Sequence, residues 1–557
     1  MEQQKQPQNE ENKIIIQDYF AGETPTPTNT NTKEEINISQ PQKEITPNLP
    51  SKIQEQKEQI STLYQVIQAK TKKNKECSQE EFYKKNRHYF IMTDGGLPVY
   101  SRYGDEVENN GIFAFLSATI TKYTVFLGDK DNSEKIHYIA NEKSIIVFFN
   151  KDQLYFIALS KKNDSISLLR SQLEFLYLQL MSILTNQNFE RLKINPSKCL
   201  TAMSGTDILF EQMIKFTSHS MVSLLKSYQV LPIQNRDRIN KICEENRGDA
   251  LICMVLTPNE IVAIAHSDQI MLTSNDILLL QNLIFSSPSL RMTESWVPFC
   301  MPGISGDGYL QLYCHFSDEN IGVCMITESV DPSLFMNFSE QYNILYTKLM
   351  ENNFIEKILS AQQKISKNNV LNQEKEEAFK KMSDEELIDE LLIKLDINQD
   401  KNSFVELSRL SKTMGNYPAK VTKSMTVTNA VHKQLLVDLA MKDIIFGIVK
   451  NEKNNQYFLI NFHNSVNDVT KEEKKLFREY NVLLDKMDES YQEKEKDKDY
   501  FSIEKGELYT NVIQRSQHFI CIFSFNFFTE LEDIGQKMRD IQKNLKDNEN
   551  YYFIMFK

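Results

Sequence analysis

A chain of 557 residues is longer than one hydrophobic core can organise, and the length points to about three or four domains. Its 41% hydrophobic and 25% charged residues are those of a soluble protein, and the most apolar long stretch, Ile166 to Thr185, is interrupted by Arg170, Gln172, Glu174 and Gln179, which excludes a bilayer span there. A formal charge of -12 excludes a dominant nucleic-acid surface, and MEQQKQPQNE has neither an apolar leader nor an acylation signal, so a cytosolic protein is expected.

Residues 1–81 are rich in Gln, Asn, Thr, Pro, Lys and Glu, a composition that buries too little apolar area to offset its ordering entropy, and they read as a disordered tail with one short helix around Ile53 to Lys70. Within it Ile14, Ile15 and Ile16, followed by Tyr19 and Phe20, read either as a docking peptide or as an isolated apolar run. A first folded unit is expected over 82–203. HYFIMT and PVYSRY are strands joined by a tight turn at Asp94-Gly95-Gly96. A helix from about Glu106 to Lys122 follows, then the strand runs KIHYIA, SIIVFF and LYFIALS, and a long helix from Ile166. Two strands, a helix, three strands and a helix give a five-stranded antiparallel sheet whose edges are joined by a crossover helix, with helices on both faces. This is an α/β sandwich of the longin or profilin-like kind.

A second unit, 204–352, repeats the rhythm: helices between Asp207 and Asn246, strands at Ala250–Thr257 and Ile261–Ala265, a helix capped at Ser274-Asn275-Asp276, strands at Tyr309–Phe316 and Gly322–Thr327, and a closing helix after Pro332. Residues 353–402 form a Lys/Glu-rich linker with an amphipathic helix at Glu385 to Leu395. The third unit, 403–557, is read with strands IIFGIVK, QYFLINF, HFICIFSF and YYFIMF, helices near Thr428–Met441, Lys471–Met487 and Leu531–Leu545, and an exposed loop at Gln492 to Asp499.

No motif for covalent chemistry emerges. There is no phosphate-binding G-x-x-x-x-G-K-[ST], no H-E-x-x-H and no G-x-S-x-G. The cluster Gly303, Gly306, Gly308 lacks a following Lys and reads as a connector loop. Cys77, Cys199, Cys243, Cys253, Cys300, Cys314, Cys324 and Cys521 contain no C-x-x-C pair, so reduced, mostly buried thiols are expected, and Cys314 and Cys324 on neighbouring strands read as a thiol pair rather than zinc ligands. No catalytic residue, cofactor or metal is predicted, and the weight moves to an interaction protein.

Two stretches carry a resemblance. MTDGGLPVYSRYG, Met92 to Gly104, is similar to the start of the first longin domain in the Mon (SAND) family of vacuolar fusion proteins. FSSPSLRMTESWVPFCMPGISGDGYL, Phe285 to Leu310, resembles that family's second-domain block, and GELYTNVIQRSQHFICIFS is the most similar piece after Ser403. Leu97 stands where the family commonly has Lys, and the linker and tail depart from the pattern. The resemblance implies three longin-like domains and a non-enzymatic subunit that, with a Ccz-like tri-longin partner, promotes GDP release from a late-endosomal or vacuolar Rab GTPase. It further implies an early-endosomal Rab and anionic phosphoinositide membranes as partners, with peripheral recruitment to endosome and vacuole or lysosome. A longin-domain adaptor or tethering subunit without exchange activity is the alternative.

By that resemblance the first domain holds the Rab and partner surface, with Tyr100, Arg102, Tyr103, Asn110 and Phe113 as interface candidates, and Trp296 of the second unit as a further one. Strand alternation places Val99, Ser101 and Tyr103 on one face and Tyr100 and Arg102 on the other, so part of the motif is core. The two tyrosines suit core or partner contact, Arg102 a partner contact or a structural ion pair, and Trp296 a core anchor or a hot spot.

Overall fold

The computed structural model describes residues 65, 68–126, 136–161, 164–194, 205–218, 221–362, 444–460, 471–493, 499–506, 509–516, 518–526 and 529–555. The expected tail patch at Ile14–Phe20, most of the helix near Ile53, the linker helix at Glu385 and the helix at Thr428 lie outside them. The chain divides into two compact units, the first drawn from 1–228, 240–348 and 470–494, the second from 229–239, 349–469 and 495–557.

In the first unit a short helix, α1 (Gln79–Lys84), capped by the Ser78 hydroxyl, leads into β1 (Arg87–Thr93) and β2 (Pro98–Ser101). Then come α2 (Asn110–Phe126), β3 (Tyr138–Ala140), β4 (Ile145–Lys151), β5 (Leu154–Ser160) and α3 (Ile166–Ile194). The sheet order is β2-β1-β5-β4-β3, antiparallel throughout, so α2 crosses from one edge to the other as the element order requires. Strand alternation sorts β1 between two layers. Phe90 and Met92 meet Phe113, Leu116 and Ile120 of α2 in a core shared with Phe148 and Ile157. From the opposite face, Tyr89 donates its hydroxyl to Gln172 of α3 at 2.5 Å, and Tyr177 of α3 stands edge-on to Phe156 of β5.

The same unit continues with α4 (Asp207–Ser218) and α5 (Val222–Leu225), then, past β6 (Tyr228–Gln229), with α6 (Arg236–Glu245) from residue 240 on, its first residues, 236–239, belonging to the second unit, and with β7 (Ile252–Leu256), β8 (Ile261–His266), α7 (Ser274–Ser286), α8 (Ser289–Met292), β9 (Ser295–Phe299), β10 (Leu310–Phe316), β11 (Gly322–Thr327) and α9 (Ser333–Glu351) through residue 348. Its sheet runs β8-β7-β11-β10-β9, the same order as the first. The cap of α7 is Thr273, one residue earlier than expected, its hydroxyl accepting from the Asp276 N–H. Cys314 and Cys324 face each other across β10 and β11 as thiols, with their sulfurs 3.6 Å apart.

In the second unit β12 (Phe446–Asn451) and β13 (Gln456–Ile460) precede, in chain order, the helix α10 (Lys471–Glu493), which clusters with the first unit. After it come β14 (Tyr500–Lys505), β15 (Tyr509–Arg515), β16 (Phe519–Asn526), α11 (Leu531–Asp547) and α12 (Glu549–Tyr552). The order β14-β15-β16-β12-β13 is the same topology a third time, extended by β6 at the β13 edge. The added segment is held by the Val230 N–H donating to Tyr457 at 2.9 Å and the Ile233 N–H to Tyr551 at 3.0 Å, while the buried Arg236 guanidinium donates to the carbonyls of Leu231 and Tyr551. One expectation is corrected here. Residues 551–555 of YYFIMF form no strand: Tyr551 and Tyr552 end α12, and Ile554 satisfies its backbone on one side chain, its N–H donating to Gln456 Oε1 at 2.7 Å and its carbonyl accepting from Gln456 Nε2 at 2.9 Å.

Candidate partner-binding face of the first domain

The helix α2 carries one charged side chain, Lys122, in 17 residues. Phe113, Leu116 and Ile120 point inward, which leaves Asn110, Gly111, Ala114, Phe115, Ala118, Thr121, Lys122 and Val125 outward, with Phe115 65% and Val125 69% exposed. A surface helix ordinarily turns several charges to water, and this one turns only Lys122. Its hydroxyls are also spent internally. Thr119, Thr121 and Thr124 donate to the carbonyls of Phe115, Ser117 and Ile120 at 2.8, 2.9 and 3.0 Å, so the surface is less polar than its composition. A Cβ at Gly111 would meet nothing within 4 Å, and the small residues Gly111, Ala114 and Ala118 let another backbone come close to the helix.

The turn between β1 and β2 abuts this helix. Gly96 has φ +81°, and a Cβ there would stand 2.8 Å from the Ser117 hydroxyl, so glycine is required both by the left-handed backbone and by the close approach. The next residue, Leu97, is 52% exposed. At the far edge of the sheet β3 pairs with β4 through Tyr138↔Val147 and Ile139↔Ile146 and with no other strand among the described residues. All of its residues are exposed, Tyr138 to 51%. An open edge strand is a template for another chain unless something covers it.

The sequence-derived candidates separate. Tyr100, Arg102 and Tyr103 converge where the first sheet meets α4. Arg102 donates to both Glu211 carboxylate oxygens at 2.9 and 3.0 Å, its backbone N–H donates to Tyr89, and its guanidinium lies over the rings of Tyr89 and Tyr103. Tyr100 packs its ring on Phe210, centroids 4.7 Å apart, and burial, reinforced by Glu211, holds its phenol well above the ordinary value. Lys75 sits over that ring and bridges Glu106 at 2.5 Å and Asp207 at 3.2 Å. Burial raises the Asp207 carboxyl, and Lys75 opposes it. This is a junction between the first two sheets rather than a free surface. Phe113 is fully buried against Phe90, so its ring belongs to the core. Asn110 opens the outward face of α2. Trp296 lies half-buried on the edge strand β9, packed on Phe335 and Phe338 of α9.

Val125, Tyr138 and Ile139 carry no sequence signal of their own, while Val107 and Phe115, which apolar spacing groups with Ile112, Leu116 and Ile120 on one face of the helix, are turned to solvent, 74% and 65% exposed. The signal available was the near absence of charge in NGIFAFLSATITKYTVF. Among the described residues no group of three or more His, Cys, Asp or Glu side chains is arranged to hold a metal, and no helix is long and apolar enough to cross a membrane.

Sheet order and flanking helices define longin-type α/β domains. Residues 87–206 match the first longin domain of FUZ, MON1 and HPS1, and residues 249–343 match the second longin domain of the same proteins. These two segments carry the resemblance to longin domains. Similar proteins include the vacuolar fusion protein MON1 homolog of Oryza sativa subsp. japonica, 31% identical over 255 residues, 44% of this chain and 43% of that protein. Vacuolar fusion protein MON1 of Yarrowia lipolytica is 24% identical over 291 residues, 51% of this chain and 52% of that protein. Vacuolar fusion protein MON1 homolog A of Homo sapiens is 25% identical over 284 residues, 48% and 41%. The chain spans about half the length of the curated relatives it matches, or less.

Proposed function

We propose that this chain is a MON1-type trafficking protein, the non-enzymatic subunit of a two-chain exchange factor for a late-endosomal or vacuolar Rab GTPase. The observation that carries the reading is the charge-poor outward face of α2, which with the open β3 edge offers a longin-like domain of a Ccz-like partner a surface to cover. An exchange factor binds the nucleotide-free Rab more tightly than the loaded form, a population shift with no covalent step. A thousandfold acceleration of GDP release takes about 4 kcal/mol of such differential binding, which several buried contacts supply. With an overall charge of -12, recruitment to anionic phosphoinositide membranes, or by an early-endosomal Rab, runs through a local lysine patch or the partner.

The test is co-expression with a Ccz-like subunit, followed by release of labelled GDP from a panel of Rab proteins. The pair accelerates release from the vacuolar Rab and the chain alone does not; a well-formed pair without acceleration overturns exchange activity. Stable binding that favours the GTP form over the nucleotide-free form selects the second reading, an adaptor or tethering subunit.

A further inference from the structure

The helix α3 is broken at one residue. Thr185 has φ 61° and ψ 163°, a region that β-branched side chains avoid and glycine alone occupies readily, and it is buried between helical turns on both sides. Such a conformation persists where its surroundings impose it. Those surroundings are the loop between β9 and β10.

A continuous helix would send the Asn186 N–H to the Ser182 carbonyl and the Gln187 N–H to the Ile183 carbonyl. Instead the Asn186 N–H donates to the Gly306 carbonyl at 2.7 Å, and the Ile183 carbonyl accepts from the Tyr309 hydroxyl at 2.8 Å. The loop replaces what the kink removes. It is reinforced by the Ser182 hydroxyl donating to the Cys300 carbonyl at 3.0 Å and the Asn186 amide donating to Asp307 at 3.1 Å. A Cβ on Gly306 would stand 2.3 Å from Asn186 Nδ2, so the contact depends on glycine. Beyond it, the Gly303 N–H donates to the buried Asp276 at the start of α7 at 3.0 Å, which fastens the loop to the second domain.

We propose that α3 is a two-state hinge and the 300–309 loop its latch. Latched, the helix is bent and both backbone groups are satisfied by the loop. Released, Thr185 returns to helical backbone, α3 runs straight with its own ladder restored, and the loop loses both partners. Because α3 also packs on β4 and β5, the sheet face opposite α2, the latch couples the second domain to the layer beneath the exposed helix.

Hydrogen exchange on the full chain, read by mass spectrometry, tests this. In Thr185→Ala, a better helix former than the β-branched threonine, the straight state gains and exchange across 303–309 rises about two- to threefold while 186–189 stay protected, because the straight helix supplies their bonds. Thr185→Gly moves the other way and slows exchange at 303–309. Tyr309→Phe, a milder change in the loop, reproduces the alanine pattern. Loss of protection at 186–189 together with the loop, or no change in either stretch, overturns the hinge and leaves a fixed corner.

Discussion

The Arg102 guanidinium closes on the Glu211 carboxylate through two hydrogen bonds, 2.9 and 3.0 Å long, and ties the exit of β2 to α4 across 109 residues of chain. Both side chains are nearly excluded from solvent. Removing one partner strands the other's charge, so Arg102→Met costs about 3–5 kcal/mol. The double change Arg102→Met with Glu211→Leu recovers most of that loss. Urea unfolding of the single and double variants checks it through the coupling energy of the cycle.

His88 gives the fold an acid sensitivity. Burial, with Lys161, Arg102 and Lys85 nearby, lowers its pKa to about 4, and its Nδ1 is buried without a hydrogen-bond partner. The unfolded chain takes up this proton near pH 6.5 and the folded chain only near pH 4. Stability is therefore undiminished above the first value and falls as pH drops through that window, by about 3 kcal/mol in all. His88→Phe, whose ring keeps the stacking on Phe82 and Phe90, flattens the decline in Tm between pH 7 and pH 4.5.

Two phenylalanines two residues apart on α2 should behave oppositely. Phe113→Ala opens a cavity in the first core and costs about 3–5 kcal/mol. Phe115→Ala changes the free chain by less than about 0.5 kcal/mol and weakens capture of the longin partner. Thermal unfolding and co-purification, run on both variants, separate core from interface.

Gly111→Ala meets no neighbour and removes a flexible residue from a helix, so the free chain gains about 0.5–1 kcal/mol. If the partner's backbone comes close there, the complex loses affinity at the same time. A raised Tm with a larger Kd is the expected pair of results.

Val230→Pro deletes the N–H that joins the added segment to Tyr457. The β13 edge should loosen, and limited proteolysis should cut within 229–239 sooner than in the parent chain.

Local patterns carried much of the fold. Asp94-Gly95-Gly96 marked the first hairpin, and apolar spacing marked α2 and α3. WVPF carries Pro298, which hides the strand β9 from a local reading, yet β9 is an edge strand and that proline faces Gln311 without having to bond on its open side. The strands β14 and β15, YFSIEK and YTNVIQR, are diluted by polar residues. YYFIMF has every mark of a strand, and only the distant Gln456 amide shows why it need not be one. The Arg102–Glu211 pair and the β6 segment join residues far apart in sequence, where no periodicity reaches. Charge depletion in α2 was in plain view, but which side of a helix faces outward follows from the sheet beneath it.

The outward side of α2 also governs how the protein behaves as a material. Electrostatic repulsion keeps dissolved molecules apart, and since this surface adds only Lys122, that repulsion has to come from charge elsewhere on the chain. Made without a companion to cover it, the chain should clump as its concentration rises, and added salt, which screens the repulsion that the charge of -12 supplies, should worsen the clumping. The supply of this protein in solution is then tied to the supply of its companion.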